Sequence, residues 1–181
     1  GDTRNDGSTA DVATGMDVEP DNDEVFSSVP DDLAIGSLVA TDTAGWVVGS
    51  REGGSTGLWR VELDRTQLVA EISDGEKFDG LQGTSEGVSV MTIRCLDNAA
   101  ADDDGPCPRW AEVVYRFDGD GSLLTESTVF ESDEPLDEID GGVFIGEGAG
   151  AVWALVQGSL FGVDTSGNVE GPVADPGGAV C

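Results

Sequence analysis

From Leu33 onward, apolar and polar residues alternate over short runs, and Asp, Gly, Ser and Thr break the runs at intervals. Alternation with period two is what a half-buried strand requires, because successive side chains point to opposite faces. Leu160-Phe161-Gly162-Val163-Asp164-Thr165-Ser166-Gly167-Asn168-Val169 is the clearest instance and reads as a strand, a tight turn and a second strand. In that turn Asp accepts from the backbone two residues on, while Gly supplies a positive φ that a side chain would resist. Arg116-Phe117-Asp118-Gly119-Asp120-Gly121-Ser122-Leu123 is the nearest copy; Arg60–Leu68 is a looser and shorter one without the glycine. A second turn precedes each copy, with Gly45, Gly87 and Gly150 at the foot of an apolar strand. Two hairpin turns per unit mean four strands per unit.

The pattern predicts three such units, near residues 33–74, 78–132 and 139–174. Strands are expected near Ile35–Thr41, Trp46–Arg51, Leu58–Asp64 and Leu68–Ser73 in the first. The second has Gly80–Thr84, Val88–Leu96, Arg109–Asp118 and Leu123–Phe130, and the third Val143–Glu147, Val152–Gln157, Ser159–Asp164 and Val169–Ala174. The connectors Asp74–Asp79 and Glu131–Gly142 are acidic. Gly45, Gly87 and Gly150, with Asp64, Asp118 and Asp164, recur near the roughly 40–50-residue period of propeller blades once an insertion at Asn98–Pro106 is allowed for. The fold class is therefore all-β: a β-propeller-like array of about three four-stranded antiparallel blades over 33–181. Closed propellers need at least about four blades, so the array is expected to be incomplete, with Asp175–Cys181 entering a fourth blade. Residues 1–32 carry ten acidic residues against Arg4 and too few apolar ones to offset ordering entropy, which predicts a disordered acidic spacer.

These units resemble the blades of bacterial extracytoplasmic β-propellers of the quinoprotein-like, NHL-like or streptogramin-lyase-like kind. The likeness rests on strand-Asp-x-x-Gly-strand units such as Leu160–Val169, each preceded by a strand like Val152-Trp153-Ala154-Leu155-Val156. It implies an exported protein whose rigid blades carry specificity in their loops. The tryptophan-docking signature of the quinoproteins is missing, and the lyase members use histidine, which this chain lacks.

Charge narrows the partners. Eight Lys and Arg stand against 37 Asp and Glu, a net charge of −29. Such a field repels phosphate backbones and anionic membranes, so no nucleic acid is expected as a partner. Salt adaptation is one reading of the acidity. With no histidine, imidazole bases, Ser-His-Asp triads and His-ligated metals are excluded. No apolar run approaches the roughly 18 residues needed to span a bilayer, so no membrane insertion is expected. Gly1–Ala10 looks like the spacer that follows the lipid-bearing cysteine of bacterial lipoproteins, which predicts an upstream lipid anchor and a secreted or cell-surface location.

The candidate chemistry is sparse. Cys95 and Cys107 flank the insertion, and in an exported protein they are expected to form a structural disulfide; Cys181 then has no partner in the sequence. Asp118 and Asp120 have the alternating oxygens of a calcium loop, but Leu123 stands where that loop needs glycine, so a polar hairpin turn is the competing reading and calcium the sole cofactor candidate. Ala101-Asp102-Asp103-Asp104 is a second acidic cluster. Gly146-Glu147-Gly148-Ala149-Gly150 has the glycines of a dinucleotide loop without the helix that must follow. Trp46, Trp59, Trp110 and Trp153 are expected to pack between blades, and Arg60, Arg94, Arg109 and Arg116 to pair with carboxylates across strands. The expected function is an exported cell-surface binding or protein-interaction module for a protein or small molecule, with no catalysis from this segment. The alternative is part of an extracytoplasmic propeller lyase or hydrolase whose catalytic residues lie outside this chain.

Overall fold

The computed structural model describes residues 29–73, 75–97, 107–135 and 141–173. Twelve strands and no helix occur among them. β1 (Leu33–Ala40), β2 (Gly45–Arg51), β3 (Thr56–Val61) and β4 (Thr66–Glu71) form the first sheet. The second contains β5 (Glu76–Gly83), β6 (Gly87–Cys95), β7 (Trp110–Asp118) and β8 (Leu123–Ser132). The third contains β9 (Val143–Gly148), β10 (Ala151–Val156), β11 (Ser159–Asp164) and β12 (Val169–Val173). Every sheet is an antiparallel meander in chain order, with neighbours in sequence also neighbours in space. The three blade-like units expected from the repeats are therefore present.

The boundaries shift in two places. β5 begins at Glu76, inside the stretch read as a connector, because Glu76 and Lys77 pair with Arg94 and Ile93. Residues 29–32, read as the end of a disordered spacer, are ordered: Leu33 N–H donates to Pro30 O at 3.0 Å, and Val29 packs on the first sheet. The rest of the predicted spacer, Ala101–Asp104, and Ala174–Cys181 lie outside the described residues.

The turns explain why two copies match and one does not. In both the β7–β8 and β11–β12 turns an Asp Oδ1 accepts from the N–H groups two and four residues on: Asp118 from Asp120 and Ser122, Asp164 from Ser166 and Asn168. Each turn closes with a glycine at positive φ, Gly121 at 92° and Gly167 at 82°, a conformation that a side chain resists. In the first sheet the closing pair is Glu62 and Arg65, with Glu62 N–H donating to Arg65 O at 2.8 Å. The residue equivalent to Asp118 and Asp164 is thus Glu62, not Asp64, and the shorter loop needs no glycine.

Aligned this way, strand three of each unit reads aromatic, Arg or Gly, apolar, acid: Trp59-Arg60-Val61-Glu62, Tyr115-Arg116-Phe117-Asp118 and Phe161-Gly162-Val163-Asp164. The repeat has a packing consequence. Arg60 is 6 % exposed and its Nε donates to Gly119 O of the second sheet at 2.6 Å; Arg116 is 1 % exposed and its Nη1 donates to Val163 O of the third at 2.9 Å. Each arginine therefore clamps its own sheet to the next. A charge-assisted bond of this kind contributes about 1.5–3 kcal/mol. In the third unit Gly162 takes the place of the arginine and Trp153 lies over it, 2.9–3.1 Å from where a Cβ would stand.

The sheets stack in chain order, with the second in the middle. Trp46, Val48 and Leu58 of the first sheet meet Val88, Val90 and Phe117 of the second in one apolar cluster. Met91, Val114 and Val129 of the second meet Val152, Val156, Phe161 and Val163 of the third in another. Each large side chain so buried contributes about 1.5–3 kcal/mol. First strands touch first strands, β1 against β5 and β5 against β9, while β8 meets β11 and β12. The two outward faces differ. On the first sheet Val47, Trp59 and Val61 are covered, with Val29 and Leu33 packed among them. On the third, Val143, Leu155, Leu160 and Val173 form one row across all four strands, and three of them are exposed.

Candidate ligand cleft

A cleft of about 350 Å³ opens where the first strands of the three units end. Thr41, Asp42 and Thr43 come from the β1–β2 turn, Thr84, Ser85 and Glu86 from the β5–β6 turn, Gly119 from the β7–β8 turn, and Glu147 from β9. All three sheets therefore contribute to it. The two hairpin turns are the same two-residue device, Thr41 N–H donating to Ala44 O and Thr84 N–H to Gly87 O, both at 2.9 Å. In each, the threonine hydroxyl is also used locally: Thr41 Oγ1 bonds Ala44 O at 3.1 Å and accepts from the Trp46 indole at 3.3 Å, and Thr84 Oγ1 accepts from Gly87 N–H at 3.1 Å. Trp46 is fully buried in the inter-sheet core, so the core fixes the turn that shapes the cleft.

One pair of bonds ties the cleft across sheets, and one ion pair braces it within the second sheet. Ser85 donates to the Glu147 carboxylate twice, from its N–H at 2.7 Å and its hydroxyl at 2.9 Å. Arg116 Nη2 reaches Glu86 at 3.4 Å. The lining thus presents three carboxylates, those of Asp42, Glu86 and Glu147, with hydroxyls and backbone carbonyls between them. This set accepts hydrogen bonds and positive charge, and its size falls in the lower part of the ~300–1,000 Å³ range of small-ligand sites.

The residues singled out from sequence are spread over the molecule. Cys95 and Cys107 form the expected disulfide, with Cα atoms 5.7 Å apart, at the far end of β6 from the cleft. Asp118 spends one carboxylate oxygen on its own turn; Asp120 is on the exposed loop tip, beside the Gly119 that lines the cleft. Among the described residues no group of three or more His, Cys, Asp or Glu is placed to hold a metal, and no helix is long and apolar enough to cross a membrane. Gly146–Gly150 is the end of β9 and the turn into β10. All four arginines have carboxylate partners: Arg60 with Glu62, Arg94 with Glu76 and Glu126, Arg109 with Asp97 and Asp133, and Arg116 with Glu86. Of the tryptophans, Trp46 packs between sheets and Trp110 lies tilted against Phe130 with ring centroids 5.5 Å apart, whereas Trp59 and Trp153 lie on outward faces.

Sequence reading missed the buried acids of the second sheet. On the face turned to the first sheet, Glu76 is bonded by Arg94 Nε and by the Tyr115 hydroxyl at 2.9 Å, and Arg94 also holds Glu126 at 2.8 Å. Burial, and then Glu76, push the Tyr115 hydroxyl up to about 12. On the opposite face Glu112 is fully buried, and one oxygen accepts from Gly142 N–H at 2.7 Å. Its other oxygen and Asp79 Oδ2 have no partner. Burial, and then the Asp79 carboxyl, push Glu112 up to about 8, and burial likewise raises Asp79. The available signal was Glu112 within Trp110-Ala111-Glu112-Val113-Val114, an acid in a strand apolar on both faces.

No family model, curated protein or solved structure matches the chain.

Proposed function

We propose that this protein is an exported cell-surface module that binds a cationic, donor-rich ligand in the cleft at the end of its three sheets. The observation that carries the reading is the joint construction of that cleft. Turns from the first two sheets and Glu147 from the third converge there, fixed by the Ser85–Glu147 bonds. Loops held on a stiff β frame are the usual place for specificity. A net charge of −29 draws cations toward such a site and disfavours anionic partners. Export is supported by the Cys95–Cys107 disulfide, since such bonds persist in oxidising compartments. The blade-like sheets and their touching first strands support the finer reading, an extracytoplasmic β-propeller, with a lipid anchor upstream as its attachment. Calcium remains a candidate ligand of the Asp118–Asp120 turn.

Isothermal titration with spermine and with a lysine-rich peptide tests the cleft. Saturable binding of either probe is expected, weakened about tenfold by Asp42→Asn or Glu147→Gln, the scale of one lost charge-assisted contact of about 1.4 kcal/mol. Binding that no cleft variant alters would show that the probes sense only the overall charge, and the reading would fail.

A further inference from the structure

The junction between the second and third sheets contains a pair of acids with no cation beside it. Glu112, near the start of β7, is 0 % exposed. Asp79 sits at the β5 bulge between Phe78 and Gly80, where the register of β5 against β6 shifts. Glu112 Oε2 and Asp79 Oδ2 are both buried without a partner. As two carboxylates they have only lone pairs to offer one another, and two like charges in so dry a place repel strongly. One proton held between them gives one oxygen a donor and removes a charge.

Among the described residues the surroundings supply no other neutralising group. Lys77 shares the cross-strand row of Ile93, Glu112 and Phe130 but is exposed and makes no ion pair among the described residues. Arg116, the other cation on this face of β7, is taken up by Val163 O and Glu86. β6 contributes Met91 and Ile93, β8 contributes Phe130, and the third sheet contributes Phe144 and Val156, none of them charged.

What the pair holds is the entry of the chain into the third sheet. Gly142 donates to Glu112 at 2.7 Å, and Gly141 lies against Asp79: a Cβ there would stand 2.1 Å from Asp79 Oδ1. A Cβ on Gly142 would meet Val156 at 2.8 Å and Met91 at 2.9 Å. Two consecutive glycines thus lay bare backbone over the acids, and β9 starts at the next residue.

We propose that Asp79 and Glu112 hold one proton between them, and that its loss to solvent in mildly alkaline conditions loosens Gly141–Gly142 and the third sheet from the second. The device is a pH-responsive latch made without histidine. The raised affinity of Glu112 for its proton, from burial and then from Asp79, puts the transition near pH 8. With no histidine in the chain, the groups with ordinary values in that region are the α-amino group and any free thiol. The acids therefore dominate the response, and Cys181→Ser serves as a control.

Amide hydrogen exchange of the full chain at pH 6 and pH 9, corrected for the intrinsic rate, tests the latch. Protection over Val143–Val156 is expected to fall at least tenfold at pH 9 relative to pH 6, while β2 and β3 stay unchanged. Glu112→Gln, which donates a hydrogen bond to Asp79 without charge, is expected to keep its protection at both pH values; Asp79→Asn should do the same if the first variant folds poorly. Equal protection of the wild type at both pH values would overturn the proposal. A fall of the same size in both neutral variants would overturn it as well.

Discussion

The second sheet buries a glutamate on each of its faces, and the two are stabilised in different ways. Glu76, facing the first sheet, has a cation and a phenol: Arg94 and Tyr115 bond it directly, and Arg94 extends the network to Glu126. Glu112, facing the third, has a backbone N–H and a second acid. Both junctions are otherwise alike, each with an arginine clamp and an apolar cluster. The difference teaches that a buried charge is tolerated in two ways. It can be matched by an opposite charge, which makes the junction depend on the partner, or be neutralised by a proton, which makes it depend on pH.

Removing the partner on one side should have the largest effect. Arg94→Leu leaves Glu76 buried against Tyr115 with no cation. Arg94 is a third exposed, so the expected loss is near the lower end of the range for breaking a buried pair, about 3 kcal/mol by urea unfolding. Reduction of Cys95–Cys107 touches neither acid and is expected to cost about 3 kcal/mol through loop entropy alone. With the freed thiols alkylated, that loss should be equal at pH 6 and pH 9, and the mass increase on reduction and alkylation verifies the bond. Arg116→Met removes the clamp to Val163 while filling similar space; about 2 kcal/mol should go. The third sheet should then show the larger rise in exchange. Gly162→Ala is the mildest change, forcing the Trp153 ring off its seat on an outward face for about 1 kcal/mol, visible as altered tryptophan fluorescence without loss of either junction.

Much of this was legible in the chain. All twelve strands follow from period-two alternation and turn chemistry, and Asp118 and Asp164 are twins because an Asp that bonds its own turn and a glycine at positive φ leave a recognisable spelling. The first unit was misaligned because Glu62-Leu63-Asp64-Arg65 closes a two-residue loop, in which the acid that matters comes earlier and no glycine is required. Val29 belongs to the predicted spacer because the few apolar residues of that acidic stretch show no periodic pattern, although it packs against the cluster of Leu33, Val47, Trp59 and Val61. Glu112 was overlooked for a different reason. Alternation identifies which residues share a face; the apolar run Trp110-Ala111 and Val113-Val114 on either side of Glu112 was the one hint that both faces of β7 are covered, and the stacking shows what covers them. The cleft was likewise unreadable, since Thr41, Ser85 and Glu147 meet only through the order in which the sheets stack.

The sign of the pH effect follows from the direction of the shift. Glu112 holds its proton more tightly when folded than its ordinary value of 4.5. Between that value and about 8 the native state binds more protons than the unfolded chain, so stability falls as pH rises through this window and levels off above it. Urea unfolding of the wild type and Glu112→Gln at pH 5.5 and pH 8.5 tests the contrast between the two buried acids most directly. The wild type is predicted to lose a few kcal/mol between the two conditions, and the variant to be nearly unchanged and the more stable of the two at pH 8.5. Parallel behaviour of the two proteins would contradict the account.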